Sequence, residues 1–589
     1  MSFICIDSVR EGERVCSNVY IDQKPGTSGL RKPTKTFKQE HYSEIFIDAS
    51  LRVLLQQKNV STIKMKTLIV GGDGRYHSPH ILQKIIKIAA TYNYDRLYIG
   101  KNGLLSTPAV SNLIIKEGSI GGIVLTASHN PGGPNADFGI KVNMSNGGTA
   151  TPDLTTKLYD LTKGNSGIYS YSINNNIPTV NLAKEANYRY KIGENKTFEI
   201  CVIDSVKDYK EKMQEMFDFS LIKNYVSGNN PQIAILVDCM NGVAGPYAKE
   251  IFVNDLNVKE SSIINGTPLP GITLLFNILF TRPSDFGKLH PDPNLTRAKD
   301  LLSKMKEGKH DIGVAFDGDA DRNMIIGKNG LFISPCDSLA IIGANLKNLK
   351  AFEDVSKITG FARSMPTSSA IDRVANKLNI PCYEVPTGWK FFGNLMNANK
   401  ICLCGEESFG TGSNYIREKD GVWTILVWLS ILAKTKQSVE EILQSHWQIF
   451  GRNYYARLDF ENVESEKALN LMNHVEMKFT SIINKTYTIT GKKITVKTTD
   501  NFEYHDTVDQ SISKNQGLRI LFGDGSRIIF RVSGTGSTGA TVRLYIGFFI
   551  SIQIDSIVHY SKDVLKRHNT SSTAKLVIHS KISTKKAKN

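Results

Sequence analysis

Short runs of β-branched and apolar residues that end in loops of glycine and polar side chains recur along this chain. Thr67-Leu68-Ile69-Val70 runs into Gly71-Gly72-Asp73-Gly74-Arg75, and Gly122-Ile123-Val124-Leu125 into Thr126-Ala127-Ser128-His129-Asn130-Pro131-Gly132-Gly133. Ile233 to Val237 runs into Asp238-Cys239-Met240-Asn241-Gly242, and Ile312 to Phe316 into Asp317-Gly318-Asp319-Ala320-Asp321-Arg322. Ile401 to Cys404 runs into Gly405-Glu406-Glu407-Ser408-Phe409-Gly410. Unbroken apolar strands are buried on both faces, which suits an α/β sheet. Between them the spacing predicts helices over Pro79 to Tyr92, where Ile81, Ile85, Ile86, Ile88 and Ala89 share a face, and over Leu295 to Met305. Ligands of open α/β sheets bind beyond the carboxyl ends of the strands. The polar loops all sit at such ends, so the pattern predicts one composite site. After about Gly451 the runs alternate more evenly, as in Lys493 to Thr498 and Leu518 to Val532, which predicts a smaller α+β domain. No strong internal sequence repeat is visible.

A length of 589 residues amounts to about four domains at roughly 100–200 residues each. The composition, 41% hydrophobic and 22% charged, is that of a globular protein. The net charge of +16 is uneven: from Ser561 to Asn589 eight Lys/Arg stand against one Asp, 8 − 1 = +7. That Ser/Thr-rich tail is expected to be poorly ordered. A nucleic-acid protein would carry its basic stripe on a folded domain, so the charge points instead to anionic small ligands. The eight cysteines are scattered, with no C-x-x-C, and read as buried free thiols in a reducing compartment. The N-terminus lacks the pattern of a signal peptide. The apolar stretch Ile272 to Phe280 is about half of what a bilayer span needs.

Asp317, Asp319 and Asp321 put three carboxylates at alternate positions directly after a strand. Charges so close repel, so a cation is expected among them, and oxygen ligands select a hard one such as Mg²⁺. An EF-hand fails, because Arg322 stands where glycine is needed and Lys328 where a bidentate glutamate is needed. A phosphatase with Asp317 as nucleophile and a solvated acidic turn are the remaining alternatives. Ser128 is not in a nucleophile elbow, since the flanking glycines of G-x-S-x-G are absent. Its neighbour His129 is expected to point away from it, as adjacent residues do. Ser533 to Gly539, between Arg531 and Arg543, is a Gly/Ser/Thr loop able to offer amides and hydroxyls to an anion, or else a flexible turn. Pro25 to Lys32 is a second loop of this kind.

Taken together and in this order, the loops Thr126–Gly133, Asp317–Arg322, Gly405–Gly410 and Ser533–Gly539 resemble those of the α-D-phosphohexomutases. Pro386-Thr387-Gly388-Trp389-Lys390-Phe391-Phe392-Gly393 and Ile416-Arg417-Glu418-Lys419-Asp420-Gly421 narrow the resemblance to the phosphoglucomutase and parafusin branch, over roughly Asp22 to Ile546. The resemblance implies three similar α/β domains with mixed sheets and a smaller C-terminal α+β domain around a central cleft. The boundaries expected are 1–205, 206–334, 335–451 and 452–560, with the basic tail at 561–589. It implies that Ser128 carries a phosphoryl group and that Asp317, Asp319 and Asp321 bind Mg²⁺ together with a phosphoseryl oxygen. Arg322 would face the transferring phosphoryl or the sugar, and Arg31, His129, Lys141 and Lys419 the reacting phosphate. Glu406, Ser408, Thr387 and Gly388 would hold the sugar, and Ser533, Gly534, Thr535, Ser537 and Arg543 the distal phosphate. Lys419 is the expected general acid/base if its pKa is lowered, with His129 second.

The implied reaction interconverts glucose 1-phosphate and glucose 6-phosphate through glucose 1,6-bisphosphate, in a cytoplasmic monomer or weak dimer. A parafusin-like phosphoprotein acting in exocytosis is the rival. The sequence departs from the family's pattern in four places. Gly271 to Arg282 is an apolar insert, readable as a surface loop, a partner contact or an error in the gene model. Lys288-Leu289 replaces the usual Gly-His, Ala320 replaces a glycine, and the chain after Ile546 is expected to leave the pattern.

Overall fold

The computed structural model describes residues 3–26, 28–57, 60–228, 232–268, 285–489, 492–536 and 539–550. The Gly271–Arg282 insert and the 561–589 tail lie outside them. The apolar runs become buried strands: Thr67–Gly72, Gly121–Leu125, Ile235–Asp238, Ile312–Phe316 and Leu403–Gly405 are buried at every position. The predicted helices form at Ser78–Ala89 and Lys299–Lys306. Ile81, Ile85, Ile86, Ile88 and Ala89 are all fully buried, as their shared face requires.

Three sheets repeat one topology. In the first, Arg96–Leu104, Thr67–Gly72, Gly121–Leu125 and Asp137–Met144 lie side by side, the first three parallel and the last antiparallel. Ile263–Ile264, Ile235–Asp238, Ile312–Phe316 and Asn323–Gly327 repeat this order in the second sheet. Cys382–Val385, Phe361–Ser364, Leu403–Gly405 and Thr411–Ser413 repeat it in the third. Numbered along the chain, each sheet reads 2-1-3-4. The connection between its third and fourth strands is in turn the Ser128 loop, the Asp317–Asp321 loop and the Glu406–Gly410 loop. Each of these turns contains a non-glycine residue in the left-handed region: Ser128 at φ 54°, Ala320 at φ 62° and Phe409 at φ 71°. The sheets differ in size, with eight, five and four strands.

One hydrophobic cluster runs through all three units, from Ile69 and Val110 through Val237 and Phe316 to Phe361 and Trp428. Its axis is the helix Gly421–Thr435, buried continuously from Gly421 to Ala433. A helix apolar all round belongs inside a protein, and none among the described residues is long and apolar enough to cross a membrane. The last unit is an antiparallel sheet of six strands, in the order Arg452–Val463, Gly539–Ile550, Arg527–Gly536, Leu518–Phe522, Lys492–Asn501 and Thr486–Ile489. The helix Ser465–Met477 packs against it. The run Leu518 to Val532 is therefore two strands. They are separated by Gly523-Asp524-Gly525-Ser526, with Gly525 at φ 86° in the turn.

Two departures from the family's glycines occupy conformations that favour glycine. Ala320 sits at φ 62° and Lys288 at φ 62°. A side chain in this region costs about 1–2 kcal/mol. Ala320 offsets part of that by burying its methyl group, whereas Lys288 is exposed. Lys288→Gly should therefore stabilise the protein by about 0.5–1 kcal/mol, after glycine's greater unfolded-chain entropy is subtracted. The check is a shift of the denaturation midpoint to higher denaturant at unchanged slope.

Candidate active site

The strand Ile312–Phe316 delivers Asp317, Asp319 and Asp321 to one buried point, where a ligand oxygen from each lies within 4.8 Å of the others. Burial, followed by the charges of Asp319 and Asp321, pushes the Asp317 carboxyl well above its ordinary pKa. Burial raises Asp319 too, with Asp321 adding to it. Burial also pushes Asp321 upward, but Lys419, then Lys141 and Arg322, outweigh it and leave this carboxyl below the usual range. Asp319 Oδ1 and Asp321 Oδ1 are buried without a hydrogen-bond partner among the described residues. Unpaired carboxylate oxygens aimed at a common point fit a hard divalent cation, so these residues suit a metal.

Ser128, 2% exposed, reaches this cluster from the next sheet. Its Oγ donates to Asp317 Oδ2 at 2.8 Å, and its backbone N–H donates to Thr126 Oγ1 at 2.7 Å. Ser128 and His129 do not point apart as expected: the left-handed turn at Ser128 brings its Oγ to 3.4 Å from His129 Nδ1.

The turn is braced by Arg75, which sequence reasoning passed over. Arg75 is fully buried. It pairs with Asp73 and donates to the carbonyls of Ser128 at 3.1 Å and Asp137 at 2.9 Å. Asp73 in turn accepts from Thr126 Oγ1 at 2.6 Å. The signal was the Gly-Gly-Asp-Gly-Arg loop itself, since a charged pair after a wholly buried strand must be satisfied inside.

The segment Arg417–Gly421 joins the three units. The Arg417 backbone N–H donates to Ser111 Oγ at 3.2 Å. Glu418 Oε1 takes Lys141 Nζ at 2.6 Å and Asn143 Nδ2 at 2.9 Å. Lys419 Nζ lies 2.9 Å from Asp321 Oδ2. Asp420 accepts from Tyr209 at 2.8 and 2.7 Å and caps the helix that follows through Trp423 N–H at 2.9 Å. Gly421 N–H donates to the Ala320 carbonyl at 3.1 Å. Burial pulls the pKa of Lys419 down, but Asp321 and Glu418 outweigh it and the ammonium is held above its ordinary range. This is the reverse of the lowered pKa expected for a lysine base.

These groups open onto a polar cleft of about 400 Å³. His129, Lys141, Arg322 and Lys419 line its Ser128 end, and Thr387, Gly388, Glu406 and Ser408 its middle. Glu406 Oε1 accepts from Gly388 N–H at 3.1 Å, which ties two sugar-loop candidates together. Burial raises the Glu406 carboxyl, and Thr387 Oγ1 is buried without a partner among the described residues. At the far end the antiparallel sheet contributes Arg457, Arg531 and Arg543. Arg31 is not on the lining. It lies beside it, within electrostatic reach of Asp319, Arg322 and Arg75, with burial pulling its pKa down. Ser533 pairs in register with Thr541. Ser537 and the side chain of Thr535 lie outside the described residues, as does the surrounding of Gly534.

A serine hydroxyl against a metal-binding carboxylate cluster, facing arginines across a polar cleft, is the arrangement of a phosphoryl-transfer site. Phosphoglucomutase/phosphomannomutase models match the chain as α/β/α domain I over 22–167, domain II over 207–330 and domain III over 336–450. The phosphoglucomutase-1 C-terminal domain matches over 452–587. The likeness thus continues past Ile546, beyond the last loop motif. Phosphoglucomutase-1 of Oryctolagus cuniculus is 51% identical over 537 residues, 90% of this chain and 91% of that protein. A protein of Pisum sativum named phosphoglucomutase, cytoplasmic, is 47% identical over 90% of this chain and 91% of its own. The crystal structure of the exocytosis-sensitive phosphoprotein pp63/parafusin (phosphoglucomutase) from Paramecium, open form, superposes with a TM-score of 0.82. It is 42% identical and covers 95% of this chain and 96% of that one. The chain belongs to the phosphoglucomutase/phosphomannomutase family, on its phosphoglucomutase branch.

A divalent cation should stabilise the fold by relieving the repulsion at the Asp cluster, by about 2.7 kcal/mol at a hundred times its Kd. Thermal midpoints measured in EDTA and in excess cation should therefore separate. In Asp319→Asn the two should converge.

Proposed function

We propose that this chain is a phosphoglucomutase that interconverts α-D-glucose 1-phosphate and glucose 6-phosphate through phosphorylated Ser128. The observation that carries the reading is the pairing of Ser128 Oγ with Asp317 at 2.8 Å at one end of a cleft whose other end presents Arg531 and Arg543. A substrate with two phosphate positions needs a reacting end and a holding end.

In the first half-reaction the Oγ–P bond of phosphorylated Ser128 breaks and a bond from a sugar hydroxyl oxygen to that phosphorus forms. The product is glucose 1,6-bisphosphate, with Ser128 free. The bisphosphate turns in the cleft, and its other phosphoryl returns to Ser128 Oγ. His129 Nδ1 is the group on this chain to take the hydroxyl proton, and Lys419 Nζ, held as an ammonium, can donate one to the departing oxygen. Arg322, Lys141 and Arg31 offset the charge of the reacting phosphate. Glu406 and Ser408, with Thr387 and Gly388, hold the sugar. Arg543, with the Ser533, Gly534, Thr535 and Ser537 loop, holds the distal phosphate. Mg²⁺, held by Asp317, Asp319, Asp321 and a phosphoseryl oxygen, would supply charge neutralisation during transfer.

The relatives' shared name supports the activity over the exocytosis reading, and the Pisum sativum relative's name supports a cytoplasmic location. We take the enzyme to act as a monomer or weak dimer.

Ser128→Ala should abolish turnover in a coupled mutase assay primed with glucose 1,6-bisphosphate while the circular-dichroism spectrum stays unchanged. Near-normal activity would move the nucleophile elsewhere, Asp317 first. Mg²⁺ should restore EDTA-treated enzyme better than Ca²⁺ does, since its shorter, stricter geometry suits a phosphoryl oxygen. Arg543→Ala removes charge-assisted bonds of about 1.5–3 kcal/mol, which predicts a loss in kcat/KM of roughly ten- to a hundredfold. Its activity should also depend more steeply on added bisphosphate.

A further inference from the structure

The strand Arg452–Val463 presents Arg457, Asp459 and Glu461 to the cleft at alternate positions. Asp459 is a carboxylate only 6% exposed. Arg457 grips it with both prongs, Nε to Oδ1 and Nη2 to Oδ2, each at 2.9 Å. Asp459 Oδ2 also lies 3.5 Å from Nε of Arg543, its cross-strand partner. Across the next ladder Arg543 stands opposite Arg531. Arg543 Nε makes no hydrogen bond among the described residues. Arg457 in turn reaches Glu407 of the sugar loop, Nη1 to Oε2 at 3.2 Å.

Like charges directly opposite across a ladder destabilise it, so Arg543, with Arg531 opposite it on one side, gains from an anion on the strand at its other side when the cleft is empty. Asp459 supplies one. The same carboxylate then opposes any phosphate these arginines hold. A site built only for affinity would exclude such a charge. A mutase has a different requirement, because the phosphate held distally in one half-reaction is the reacting phosphate of the next and must leave within each turnover.

We propose that Asp459 is a built-in counter-anion of the distal phosphate site. It keeps Arg457 and Arg543 in position when no phosphate is bound, and it weakens their grip on bound phosphate enough for the bisphosphate to turn. It is a positioning residue acting through the arginines, and the inference rests on the phosphoglucomutase reading.

The test is Asp459→Asn in the full-length, metal-loaded enzyme. The carboxamide still accepts from Arg457 but carries no charge. KM for α-D-glucose 1-phosphate and the Kd of inorganic phosphate, measured by calorimetry, should both fall by roughly five- to tenfold, and kcat should fall as well. Asp459→Glu should restore the wild-type Kd. In an Arg543→Ala background the tightening should vanish, since the two charges act on one ligand. A merely structural aspartate gives the opposite pattern, with KM and Kd raised and the thermal midpoint lowered, and that result overturns the proposal. The two readings fail separately. An inactive wild type sinks the functional reading, while a phosphate Kd no lower in Asp459→Asn sinks this one. Should Asp459→Asn not fold, Glu461→Gln removes the next carboxylate on the same face. It should lower the phosphate Kd about twofold, and an unchanged value counts against the proposal.

Discussion

Three carboxylates buried within 4.8 Å of one another are the constraint around which the molecule is arranged. Taking a charge out of water is costly unless it is paired, and here Arg322 of the same loop supplies part of the pairing and other domains the rest. Lys419 comes from the third sheet's surroundings and Lys141 from the first sheet, while Ser128 and Thr107 donate to the cluster at 2.8 and 2.7 Å from the first unit. The charge balance of the metal loop therefore depends on domains that a shared apolar core holds together. A bound cation would complete that balance, so folding, metal affinity and catalysis share the same side chains.

The segment Arg417–Gly421 turns this electrostatic demand into geometry. Its residues bond in succession to Ser111, Lys141, Asp321, Tyr209 and the Ala320 carbonyl. Asp420 then starts the helix Gly421–Thr435, whose buried and largely apolar surface fills the core shared by the three α/β units. Moving Lys419 would therefore mean moving the axis of that core. This rigidity suits a group that must stay beside the reacting phosphate through two half-reactions.

The far end of the cleft is built on a separate sheet. The antiparallel sheet contacts the α/β body through fewer apolar residues, such as Met365 and Cys336 against Tyr455 and Tyr545, and through the Arg457–Glu407 pair at 3.2 Å. Both partners of that pair are largely buried, and Arg519 and Arg527 of the same sheet pair with Glu384 of the α/β body at 2.6 and 3.1 Å. Both ends of the cleft are thus tied by buried charge pairs, while the far end rests on the smaller apolar contact.

The buried strands, the two helices and the loops at the strand ends were legible because a wholly apolar run followed by glycines has few ways to fold. The metal ligands were legible because three aspartates at alternate positions must meet something cationic. The sequence also determined the family, through the joint occurrence of loops that are ambiguous singly. Only the tertiary structure decided that the loops are one structural position used three times, since a 2-1-3-4 sheet constrains which positions are apolar and not which residues fill them. It alone brought Ser128 back onto His129, because a left-handed φ at a serine leaves no trace in hydrophobic pattern. It alone raised the pKa of Lys419, through an aspartate nearly a hundred residues away in the chain, and set Arg75 behind the serine turn and Asp459 between two arginines. Hydrophobic periodicity reports whether a side chain faces water, whereas pairing between buried charges depends on which distant strands become neighbours, and that is fixed only when the chain has folded.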